Sequence, residues 1–99
     1  MLTFEKVLTV FGDYLQQDSL YEVVLTKHGY TLMAWEPARS TWYSAEYMAT
    51  PELLLDSLLD AYTSFMEDRI TDNERDLTKQ ETDEIQRQCS SLQAKCLDK

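Results

Sequence analysis

Between Tyr21 and Met48 the chain crowds aromatic and β-branched residues around two turn signals, and this stretch most limits what it can fold into. Leu20–Thr26 alternates and is rich in β-branched residues, which predicts a strand. Lys27-His28-Gly29-Tyr30 then reads as a tight turn, because Gly29 supplies the positive φ that a short hairpin loop demands. Tyr30–Glu36 returns, Pro37–Ser40 turns again, and Thr41–Met48 forms a third strand. The expectation is a three-stranded antiparallel meander.

Its two faces separate by register. With His28-Gly29 as a two-residue loop, Leu25 pairs with Leu32 and Val23 with Ala34. With Pro37–Ser40 as a four-residue loop, Trp35 lies opposite Trp42 and Ala34 opposite Tyr43. One face then collects Tyr21, Val23, Leu25, Leu32, Ala34, Tyr43, Ala45 and Tyr47, the makeup of a core. The other collects Glu22, Val24, Thr26, Thr31, Met33, Trp35, Trp42, Ser44 and Glu46. Its rim is polar, but its centre is a Val-Met-Trp-Trp cluster. Burying such side chains is worth ~1.5–3 kcal/mol each, so water is a poor cover for all four. The C-terminal helix, a second copy of the chain or another protein are the candidate covers, with simple exposure as the remaining alternative. A one-residue slip in the second loop would instead exchange the faces of the third strand.

Helices flank the meander. Phe4, Val7, Leu8, Phe11, Tyr14 and Leu15 recur at helical spacing behind Thr3, a residue suited to cap a first turn. Thr50-Pro51-Glu52 starts a second helix with a capping hydroxyl, proline at the first helical position and an acid near the positive end of the dipole. Its apolar positions continue through Leu54, Leu55, Leu58, Leu59, Tyr62, Phe65 and Met66 to about Ile70. Thr78-Lys79-Gln80-Glu81 fits a capping box for a last helix, with Ile85, Cys89, Leu92 and Cys96 on one narrow stripe. The expected fold is a single α+β domain over residues 1–99, in the order α-β-β-β-α-α. A chain of 99 residues, 43% of them hydrophobic, suits one modest core.

Charge narrows the partners. The net charge is −9, the wrong sign for releasing counterions from nucleic acid or for holding an anionic membrane. Residues 1–49 carry six acids and three bases, and residues 50–99 twelve acids and six bases, so the excess acid lies mainly in the second half. No secretory signal and no apolar run of about 18 residues is expected from the pattern, and a cytoplasmic location follows. Cys89 and Cys96 are seven apart, ~10.5 Å along a helix, too far for a disulfide within it.

Chemistry-bearing residues are sparse. His28, the single histidine, sits at a hairpin tip. Asp72–Asp83 places acids where a calcium loop of the EF-hand type has them, yet Leu77 stands where the sharp turn needs glycine, and Thr78 would start a helix inside the loop. Asp56, Asp60, Glu67 and Asp68 read as a wetted helix face. No metal, cofactor or catalytic residue is expected.

The α-β-β-β-α order resembles the double-stranded-RNA-binding domain in topology. The lysine-rich helix start of that family is here Thr50-Pro51-Glu52-Leu53, so RNA binding is not implied. The run Tyr21-Glu22-Val23-Val24 through Lys27-His28-Gly29-Tyr30 to Trp42-Tyr43-Ser44 is similar to small uncharacterised proteins carried on bacterial conjugative elements. That resemblance implies a mobile-element context and no activity. The expected function is a non-enzymatic protein-interaction module, homodimeric, anchored by Val24, Met33, Trp35 and Trp42 with Glu22 and Glu46 on the rim. The alternative is an acidic decoy that imitates nucleic acid through the acids of Glu67–Glu84 and occupies a basic groove on a DNA-acting protein.

Overall fold

The computed structural model describes residues 1–97. Helices α1 (Phe4–Val10) and α2 (Gly12–Gln17) lead into strands β1 (Tyr21–Thr26), β2 (Gly29–Glu36) and β3 (Thr41–Tyr47), followed by helices α3 (Pro51–Thr71) and α4 (Lys79–Leu97). The α+β class and the three-stranded antiparallel meander, in the order β1-β2-β3, are as the sequence implies.

Local signals set the helix ends. The Thr50 hydroxyl accepts the Leu53 amide at 3.2 Å at the start of α3. At α4 the Thr78 amide donates to Glu81 Oε1 at 2.9 Å, and the Glu81 amide donates back to Thr78 Oγ1 at 3.2 Å. Arg75 grips both oxygens of the same carboxylate at 2.8 and 2.9 Å. These hydrogen bonds, the Arg75 pair first among them, hold the Glu81 carboxyl down at about 2. The acidic connector is thus organised as a helix start rather than a cation loop.

The N-terminal helix departs from a single rod. It bends at Phe11, whose φ of −91° and ψ of 4° leave the helical region. Hydrogen bonding nevertheless carries through, from the Phe11 amide to the Val7 carbonyl at 3.0 Å and from the Leu15 amide to the Phe11 carbonyl at 2.9 Å. The bend sits where Phe11 is fully buried.

Helix α4 packs along α3 and α1. The core joins Val7, Phe11 and Tyr14 to Leu54, Leu55, Leu58 and Ala61 of α3, Cys96 of α4, Leu32 of β2 and Met48. Below α2, the Tyr14 hydroxyl donates to Asp18 Oδ2 at 2.6 Å, while Asp18 Oδ1 accepts the Leu20 amide at 2.9 Å. That buried carboxylate ties the helix end to the start of β1. Burial, then the hydrogen bond to Asp18, pushes the Tyr14 phenol far above its ordinary range.

The sheet registers correct two expectations. In the first hairpin Thr26 pairs with Gly29, Leu25 with Tyr30 and Val23 with Leu32, so the loop is Lys27-His28. The Thr26 hydroxyl selects this arrangement by accepting the His28 amide at 3.1 Å and donating to the Gly29 carbonyl at 3.0 Å. A shift of two residues leaves every side chain on its expected face. In the second hairpin Trp35 does pair with Trp42, but Ala34 pairs with Ser44, not Tyr43. Tyr43 is the extra residue of a β-bulge. Beyond it the faces of β3 exchange: Ala45 and Tyr47 join Met33 and Trp35, whereas Ser44 and Glu46 turn to the helix side.

Candidate functional site

The helix-facing side of the sheet is carried by Tyr21, Val23, Tyr30, Leu32 and Ala34. Leu32 enters the core itself, with Tyr21 and Val23 packed against it, and the Phe4 ring meets Tyr30 at 4.9 Å. Ala34 is small enough for the flanking tyrosines to approach each other. The Tyr21 phenol is raised by burial first and by Tyr43 beside it second, which puts Tyr43 on this same side. Helical cover stops short of β3, whose seven residues are all exposed. Tyr43, Ala45 and Tyr47, expected in the core, are therefore exposed instead, and so is Leu25 at the far end of β1, 68% exposed.

On the opposite side the predicted cluster assembles. Trp35 and Trp42 meet edge to face, ring centroids 5.0 Å apart at 75°, a favoured arrangement worth ~0.5–1.5 kcal/mol beyond burial. Val24, Met33 and Trp35 are half-buried among their own neighbours and Trp42 is 39% exposed. None of the four belongs to the core cluster. The C-terminal helix, one of the candidate covers, instead spends its apolar stripe on the helical layer: Cys96 is in the core and Cys89 Sγ lies 3.4 Å from Thr63 Oγ1 of α3.

Glu22 stands exposed on this side, paired across the ladder with Met33. Glu46 does not; the bulge removes it from the proposed rim. In its place come Ala45 and Tyr47, which sequence reasoning put in the core. Tyr47 closes over the hairpin end so tightly that a Cβ on Gly29 would lie 3.1 Å from its Cε1. With φ of 127° as well, Gly29 is fixed both by its backbone and by the ring above it. Trp42 also borders a cleft of about 380 Å³ at the β1 side, lined otherwise mostly by residues that pack against the core, Leu8, Leu15, Tyr21 and Val23, with Asp18 and Glu22 beside them.

Other chemistry-bearing residues remain apart. His28 is exposed at the hairpin tip. Asp56, Asp60, Glu67 and Asp68 line the wet side of α3. Among the described residues no three His, Cys, Asp or Glu side chains converge as metal ligands. Cys89 and Cys96 are both free thiols, and burial raises the Cys96 thiol. No described helix is long and apolar enough to cross a membrane.

Comparison with known proteins finds no matching family model, no similar curated protein and no similar solved structure.

Proposed function

We propose that this chain is a small, non-enzymatic protein-interaction module that binds through the open face of its sheet. The observation that carries the reading is the edge-to-face pair of Trp35 and Trp42, set with Val24 and Met33 outside the core cluster that α3 and α4 share. Large aromatic side chains at the centre of an exposed patch are the usual anchors of protein recognition. Glu22 is a rim residue in this reading. Two free thiols suit a cytoplasmic setting.

The decoy alternative rests on exposed acids around the α3–α4 connector, among them Glu67, Asp68, Asp72, Glu74 and Asp76. Arg75 lies among them and is committed to Glu81. A decoy complex would weaken steeply with ionic strength, and an aromatic-anchored one far less.

Acrylamide quenching of tryptophan fluorescence at micromolar protein tests the module reading. Both indoles should quench at a rate between those of a free indole and a core residue, since Trp35 is half-buried and Trp42 39% exposed. Quenching suppressed to the level of a core residue at that dilution would contradict an open face.

A further inference from the structure

Resting on the reading above, we infer that the partner seated on this face is a second copy of the chain, the two sheets packing face to face about a twofold axis.

Surface area gives the first reason. A compact chain of 11.6 kDa exposes about 5,800 Å², whereas this one exposes 6794 Å². The surplus over the whole chain, roughly 1,000 Å², is enough to supply the ~800 Å² that each partner contributes to a stable interface. Its shape agrees: the chain is a slab of 42 × 40 × 18 Å with a radius of gyration of 14.2 Å, against about 13 Å for a compact chain of this size.

Charge gives the second. The chain carries a net −9, yet Glu22 is the one charged residue among the strand positions of this face. A basic partner would find almost nothing here to pair with. A second copy sets Val, Met, Trp and Tyr against the same residues and leaves Glu22 at the wet rim, so no unpaired charge is buried.

The bulge gives the third, by disfavouring one other route to a dimer, through the β3 edge. Edge-to-edge pairing of β3 with its own copy would run through Tyr43, where the extra residue breaks the ladder spacing and reverses the sides on either hand. Stacking of the open faces, at the ~10 Å separation of packed sheets, needs no ladder.

Two bodies of like charge meeting through a face whose one charge, Glu22, lies at the rim have a distinct salt signature. Association should tighten as salt rises, because screening removes repulsion while apolar contact persists. Between 50 mM and 500 mM salt the expected gain is roughly tenfold in affinity.

Sedimentation velocity on the full chain from 5 to 500 μM at both salt concentrations tests this, alongside Ala45→Arg, which adds a charge to the face at an exposed position. The inference expects a monomer–dimer equilibrium that tightens with salt and is weakened at least ~30-fold in the variant. A dimer that loosens with salt, or one indifferent to Ala45→Arg in a folded variant, would overturn it. A monomer at every concentration with readily quenched tryptophans overturns the second copy alone and leaves the face to a foreign protein. A monomer with shielded tryptophans overturns the interaction face as well.

Discussion

Replacing both tryptophans, Trp35→Ser with Trp42→Ser, is expected to weaken self-association by ~30- to 1,000-fold while the monomer still folds. Buried aromatic anchors at the centre of an interface cost about 2–4 kcal/mol when truncated, and a pair in mutual contact acts largely as one unit. The monomer loses less. It forfeits the edge-to-face contact seen at 5.0 Å and some shelter for Met33, about 1–2 kcal/mol together. Circular dichroism and thermal unfolding of the variant, beside its sedimentation, separate the two losses. Helix and sheet content should be retained with a modest fall in melting temperature. Global unfolding would show the pair to be part of the internal core.

Phe11→Ala is the contrasting case, with its damage confined to stability. Phe11 is fully buried at the bend between α1 and α2, and its ring packs edge to face on Tyr14 at 6.4 Å. Tyr14 in turn meets Tyr62 and Phe65 of α3, each at 5.3 Å. Removing Phe11 opens a cavity under this aromatic chain and should cost about 3–5 kcal/mol. Domains of this size hold about 5–15 kcal/mol in all, so urea unfolding should show a midpoint lowered by a large fraction of its value. A change below 1 kcal/mol would contradict the placement of Phe11 at the centre of the core.

How far the sequence reaches depends on how local each cause is. The caps at Thr50 and Thr78 act over three residues, and the apolar spacing of α3 acts over one turn, so both could be read directly. The Trp35–Trp42 pair follows from the length of the Pro37–Ser40 loop. The first hairpin was less accessible, because the Thr26 hydroxyl rather than composition picks Lys27-His28 as the loop. That error of two residues did no harm to Val24 and Met33, since strand side chains repeat every two residues. The bulge did matter. It forms where Tyr43 comes beside Tyr21 across the small Ala34, a meeting of three strands that no short window of sequence contains. One inserted residue therefore removed Glu46 from the candidate face and delivered Ala45 and Tyr47 to it. The docking of α4 lay equally out of reach: a stripe of Ile85, Cys89, Leu92 and Cys96 fits a sheet as well as a pair of helices.

The central claim is that Val24, Met33, Trp35 and Trp42 form a surface rather than an interior. A soluble paramagnetic probe added to isotope-labelled protein, kept dilute, measures this residue by residue through the broadening of side-chain resonances. The Met33 methyl and both indole N–H signals should broaden strongly, while the methyls of Leu54 and Leu58, which are fully buried, stay sharp. Met33 and the indoles protected to the same degree as Leu58 would contradict the account.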